Sequence, residues 1–580
     1  MSQNASAPLD GLIGPSSCPC ANSNTTTGNS CRQNGSKACS GCFLVLYCSR
    51  ECQESHWKEH KVDCKSKIMK STWRPSWEDE QRMPSFMSSN VSWTTFGKIK
   101  FLWGNVPALD VINLQRNEGL AYSKDISLLF AASGDPRNVI KSIAGIPANF
   151  SQSITALVND KDFDVVARNV ILLLIALYVE PAPAAAAAML HTWYSALIPS
   201  SVLRCLHDTV LPLIRDVCEK IKDKPADSLL SKTFKNGTCS MRVVLKKSSW
   251  DALPGYLEVP HGLTMEEARR VRRATTMAEE RKDYLERALF TQPPGWRTAT
   301  KQFRSEGILM PFGASLAAFD TPNPTFYQER DVWPMKDSAN PLDGWSLDDI
   351  FQKTPLAKND LYGGLFFHIR ELLVDFCSKL KTLKMSFTLI NINVIDLPKA
   401  LATDPTLARS FDRIEASNII DLNYLGLQCL HLLVPFLRPV GENPHATLVT
   451  LFQNAIGQTI TQADKMETMM REMPRVLALL TPTSQSPSFQ ADSATSADAV
   501  KRQMAYDLLQ DFDGVFERYK EDCRFDLMAQ AAGVKLKSEH TIVSPWPYRL
   551  SKNPTKAELE KLLGSGLTGD ERYVEWQRAH

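Results

Sequence analysis

The sequence has no excess of charge of either sign: 66 basic side chains face 64 acidic ones over 580 residues. A chain so balanced has no global field to draw in nucleic acid or an anionic membrane, so any partner has to be recognised locally. It also lacks a long apolar run. The most apolar stretch, VARNVILLLIALYV from Val166, contains Arg168 and falls short of the about twenty residues that a membrane span needs. It reads as a buried helix. The first residues, MSQNASAPLDGLIGPSS, lack the charged start and apolar core of a secretory signal. The expected compartment is therefore reducing, cytoplasmic or nuclear, where clustered cysteines are metal ligands sooner than disulfides. Missing as well are Gly-x-Ser-x-Gly, a Walker-type loop and His-Glu-x-x-His. Hydrolase and nucleotidase readings have no residues to stand on.

Cysteine is sparse along most of the chain and dense in one place. Eight of the fourteen cysteines lie between Cys18 and Cys64, as CPC, Cys31, CSGC (Cys39, Cys42), YCSREC (Cys48, Cys52) and HWKEHKVDC (His56, His60, Cys64). Cysteine pairs two and three residues apart, closed by a His and a Cys four positions on, can wrap tetrahedral zinc without a large core. Cys39-Ser-Gly-Cys42 forms a knuckle in which Gly41 relieves the tight backbone. Cys48 and Cys52 stand one helical turn apart, as do His60 and Cys64, so each pair can face one way from a short helix. Trp57 is placed to shield a metal, and Tyr47 with Trp57 is expected to form most of a small core.

The run Cys-x2-Cys-x4-Tyr-Cys-x3-Cys-Gln-x3-Trp-x2-His-x3-Cys from Cys39 to Cys64 resembles the MYND zinc finger, whose two metals are held in interleaved fashion. The resemblance implies two Zn2+, the first on Cys20, Cys31, Cys48 and Cys52 and the second on Cys39, Cys42, His60 and Cys64. The front departs from the family's Cys-x2-Cys opening, which leaves Cys18 as a substitute for Cys20. It further implies protein recognition, since such fingers dock short, often proline-containing peptides. The lysines at 58, 61, 65, 67 and 70 read as the solvated face of the last helix, so nucleic acid is the weaker partner.

Beyond a Pro-, Ser- and Trp-bearing linker (67–95), KDISLLFAASGDPRNVIKSIAGIP begins as a strand over 126–131, turns at Ser133-Gly134-Asp135 and continues as a helix. SITALVND makes a second strand ending at Asp160, and a helix follows over 163–179. This is a βαβ unit, predicting parallel strands. Gly134, Asp135 and Asp160 would lie at the carboxyl ends, where open α/β sheets bind ligands. The turn SGDPRN lacks G-x-G-x-x-G spacing, so plain turn chemistry competes with cofactor binding.

The segments LWGNVPALDVINL, LLFAASGDPRNVIKSIA and FDVVARNVILLLIAL resemble a domain of unknown function common in fungal MYND-finger proteins. They are similar to the N-terminal region of axonemal dynein assembly factors, whose methyltransferase-like Rossmann region implies the fold over about 96–235. The expected organisation is a disordered tail (1–17), the finger (18–66), the linker, the Rossmann-like α/β domain (96–235), and a charged helix with a turn-rich connection (236–345). A second α/β segment completing the same sheet (346–480), a Ser/Thr-rich linker (481–499) and a helical C-terminus (500–580) would follow. Within these, PAPAAAAAM (181–189) reads as a loop running into a helix that includes His191 and Trp193, 265–289 as one charged helix, and helices are expected over 499–532 and 556–563.

Two functions fit. One is an interaction protein whose finger captures a partner's peptide, with no catalytic residues to name. The other is an S-adenosylmethionine-dependent methyltransferase whose finger recruits substrate. A SET-type methyltransferase is set aside because no Asn-His-Ser-Cys segment occurs downstream.

Overall fold

The computed structural model describes residues 15–24, 30–87, 96–404, 407, 410–480 and 495–579. Most of the expected tail, the end of the linker and most of the Ser/Thr-rich stretch lie outside the described residues. The chain is mixed α/β, with a small N-terminal zinc-binding region and one large mixed sheet.

Nine strands build that sheet: β1 (Ile126–Ala131), β2 (Ser153–Asp160), β3 (Leu229–Asn236), β4 (Cys239–Lys246), β5 (Lys384–Asn391), β6 (Arg413–Glu415), β7 (Thr447–Phe452), β8 (Val534–Leu536) and β9 (Arg572–Arg578). Their order across the sheet is β8-β9-β7-β6-β1-β2-β5-β4-β3. From β7 through β4 the neighbours are parallel. β9 runs antiparallel to both β7 and β8, and β3 pairs antiparallel with β4. Leaving out the β3–β4 hairpin and numbering by chain order, the strands read 3-2-1-4-5-7-6, so the direction of travel reverses between β1 and β6.

Alternation along the strands explains why both faces are covered. In β1, Leu128 and Phe130 join one apolar cluster while Leu129 and Ala131 join the other. On the first face lie helices Phe163–Tyr178, Ala182–Tyr194 and Leu361–Lys379, and on the second Phe512–Asp522 and Phe525–Ala531. Arg168, inside the most apolar stretch, is buried with its guanidinium 4.2 Å from the Phe326 ring centre and hydrogen-bonded to the Trp193 carbonyl at 2.7 Å. Among the described residues, no helix is long and apolar enough to cross a membrane.

Four expectations are corrected. The C-terminal stretch is not all helical: β8 and β9 come from it and sit in the sheet. The boundary at 235 falls inside the β3–β4 hairpin, where Asn236 pairs with Cys239 across the two-residue turn Gly237-Thr238, with Gly237 at φ +57, the glycine-first turn that suits a tight hairpin. The alanine run is helical from Ala182, with Pro183 near its start where a missing N–H costs nothing. The charged helix is two, Met265–Thr276 and Lys282–Thr291.

The segment after the finger is packed over 67–87: Trp77 is buried against Phe86, and Arg82 pairs with Asp283 at 2.6 Å.

Candidate metal centre

The finger is built on a strand pair, Lys37–Ala38 with Leu46–Tyr47, and on the helix Arg50–Cys64. Ser49 caps that helix, its side chain accepting from the Cys52 amide, which fixes where the first turn begins. The helix therefore carries ligands in both directions, Cys52 near its start and His60 with Cys64 at its end.

Two groups of four side chains result. Cys20, Cys31, Cys48 and Cys52 bring their sulfurs within 4.8 Å of one another, as do the ligand atoms of Cys39, Cys42, His60 and Cys64. Specific separations are 3.6 Å for Cys31–Cys48, 3.4 Å for Cys48–Cys52, 3.8 Å for Cys39–Cys64 and 3.4 Å from Cys42 Sγ to His60 Nε2. A tetrahedral ion with bonds of about 2.3 Å sets its sulfurs about 3.8 Å apart. Four thiolates in the first group, and three thiolates with an imidazole in the second, are the donor sets of closed structural zinc sites, consistent with two Zn2+. Burial holds the Cys20 thiol above its ordinary range and pushes Cys64 up to about 11. A bound cation reverses that preference by stabilising the thiolates.

Backbone amides support the sulfurs: Leu44 points its N–H at Cys42 Sγ and Gln33 at Cys31 Sγ, both at 3.4 Å. A Cβ at Gly41 would stand 2.9 Å from Cys64 Sγ, so the knuckle's glycine is demanded by close approach to a ligand. Cys18 belongs to neither group. Nor does His56, whose Nδ1 lies 3.0 Å from the Tyr47 hydroxyl. The small core differs from expectation. Trp57 is only half-buried, while Cys42, Leu44, Val45 and Tyr47 are buried in the same apolar cluster as the large domain.

The other candidate residues lie at the carboxyl ends of β1 and β2. Gly134, at φ +57, donates its amide to Asp160 Oδ2 at 2.9 Å, and its carbonyl accepts from Asn169 at 2.8 Å. Asp160 also accepts from the Asp162 amide, and burial raises its carboxyl above the usual range. Asp135 faces another way, accepting from the Gly104 amide at 2.9 Å and pairing with Arg137. Gly134 and Asp160 are thus brought together, whereas Asp135 anchors the loop at 104. A Cβ at Gly134 would meet no atom within 4 Å, so the space above the turn is open.

Sequence reasoning missed Asn359, whose side chain reaches the carbonyl of the ligand Cys42 at 2.7 Å. It lies 317 positions from the finger residue it touches, with no local pattern to mark it.

Comparison with known proteins agrees with this geometry. Residues 29–64 match the MYND finger family, and residues 102–198 match a domain of unknown function (DUF4470). The chain is 57% identical over 30 residues to SET domain-containing protein 14 of Caenorhabditis elegans. It is 39% identical over 51 residues to histone-lysine N-methyltransferase ASHR1 of Arabidopsis thaliana. These stretches cover 5% and 8% of this chain and only 7% and 11% of those two proteins, over the finger region. No solved structure matches. The chain thus carries a zinc-binding MYND finger, a protein-interaction module, beside a DUF4470 domain.

Proposed function

We propose that this chain is an interaction protein whose zinc-loaded finger docks a short, proline-containing peptide of a partner. The observation that carries the reading is the completeness of both four-ligand groups, tied together by one helix that gives Cys52 to the first and His60 and Cys64 to the second. Two closed metal centres stiffen a module of this size into a fixed surface, and rigid surfaces bind peptides with little ordering cost. The SET domain-containing protein and the histone-lysine N-methyltransferase share only the finger region with this chain, so their names carry no chemistry over to it.

The test is native mass spectrometry of the full chain joined to a titration with a labelled proline-containing peptide. Cys48→Ser is expected to drop the zinc count from two to one and to abolish peptide binding; Cys18→Ser is expected to keep both. Peptide binding that persists in Cys48→Ser, or zinc lost from Cys18→Ser, would refute the reading.

A second reading, S-adenosylmethionine-dependent methyl transfer, draws support from the strand order 3-2-1-4-5-7-6. Doubly wound sheets that begin 3-2-1-4-5 bind nucleotides where the order reverses, and an acidic residue ending the second strand holds a ribose there. Asp160 occupies that position, and the space over Gly134 is open. Against it stands the use of Asp160 and Asp135 in bonds to the chain's own backbone. The dynein-assembly resemblance belongs with this reading as a likeness of fold only.

A further inference from the structure

The finger meets the large domain at a polar point beside the second metal group. Asn359 donates from Nδ2 to the Cys42 carbonyl at 2.7 Å and from its backbone amide to the Phe43 carbonyl at 3.1 Å. Phe43 has φ +53, a left-handed conformation that a residue with a side chain adopts only when its surroundings insist. The Lys358 ammonium sits 4.4 Å from the centre of the Phe43 ring, gripping the same residue from outside.

Asn359 is itself fixed. A Cβ on Gly295 would fall 2.1 Å from its Nδ2, so the helix Pro294–Glu306 leaves a notch for the amide. The next residue, Asp360, caps the helix Leu361–Lys379 by accepting from Gly363 and also accepts from the Phe312 amide, both at 2.8 Å. One residue on, Gly313 lies so close to Val45 of the finger that a Cβ would stand 2.9 Å from it. The helix N-terminus, the 312–313 loop and the zinc knuckle therefore form one braced unit.

We propose that Asn359 is the positioning residue for the second metal centre, and that metal on Cys39, Cys42, His60 and Cys64 is coupled through it to the folding of the large domain. Hydrogen-bonding partners one step behind the ligands commonly change metal affinity by about 10- to 100-fold when removed. Here the partner comes from a different domain. Thermodynamic reciprocity then requires that what the domain does for the metal, the metal does for the domain.

The test uses the full zinc-loaded chain and the variant Asn359→Asp, which keeps size and the backbone bond but removes the side-chain donor. Alkylation under a zinc chelator, mapped by peptide mass spectrometry, reads each cysteine separately. Cys39, Cys42 and Cys64 are expected to react about 10- to 100-fold faster in the variant, with Cys20, Cys31, Cys48 and Cys52 within about twofold of the parent. In the parent, stripping zinc is expected to speed hydrogen exchange in the first turn of Leu361–Lys379. Should that turn be indifferent to zinc, or all seven cysteines speed up alike as general loosening would have it, the assignment fails. Asn359→Ala, free of the added charge, must give the same pattern.

Discussion

At the scale of single residues, the metal ligands stand apart from the other polar groups because their geometry is local. Glu415 shows the opposite case. It ends β6 enclosed by the fold, with one oxygen accepting from the Ser417 amide at 2.7 Å and the Asn138 side chain beside the carboxyl. Burial pushes its carboxyl up to about 7. Between the ordinary carboxylate range and pH 7 the folded chain holds a proton that the unfolded chain has released. Stability therefore falls as pH rises through that window and levels off above it. Glu415→Gln, which stays neutral, is expected to melt above the parent at pH 8 and level with it near pH 4, the gap amounting to roughly 3 kcal/mol at most. An equal gap at both pH values would show that the proton is not the cause. In the sequence this glutamate sits in what reads as an apolar run, and nothing local announces that β1 and β7 will enclose it.

At the scale of elements, strands flanked by clear turn signals were legible. β1 spans the 126–131 expected from its apolar run before Ser133-Gly134-Asp135. β9 was not legible: RYVEWQR mixes charge with aromatics and follows a helical stretch, yet it inserts between β7 and β8. Its Trp576 is fully buried, donates to Thr450 Oγ1 at 2.9 Å and stacks on Phe525 at 4.9 Å. Trp576→Ala is expected to cost about 3–5 kcal/mol, as large-to-small changes in a core do. Denaturant unfolding of the variant measures it; a midpoint indistinguishable from the parent's would make β9 a peripheral strand.

At the scale of the whole molecule, the carboxyl ends of β1 and β2, beside the reversal between β1 and β6, are where a ligand would sit. A ligand that binds only the folded state raises the melting temperature by mass action. If the methyltransferase reading holds, millimolar S-adenosylmethionine shifts the melting of the full chain upward, and Asp160→Asn reduces the shift. No shift at that concentration would leave the sheet as a scaffold for the finger.

The sequence by itself determined the metal chemistry. Zinc ligands within a turn or two of each other are brought together by short-range geometry, so CSGC, Cys48 with Cys52, and His60 with Cys64 declare their grouping before any fold is known. Between Cys20 and Cys18 the sequence does not choose, because a gap of ten residues before Cys31 sets no register, and packing brings Cys20 into the group. Only the tertiary structure decided that residues 534–578 close the sheet and that Asn359 braces the zinc knuckle. The physical reason is that pairing across hundreds of positions depends on which surfaces are buried together, and a local pattern of residues carries no record of a neighbour that distant.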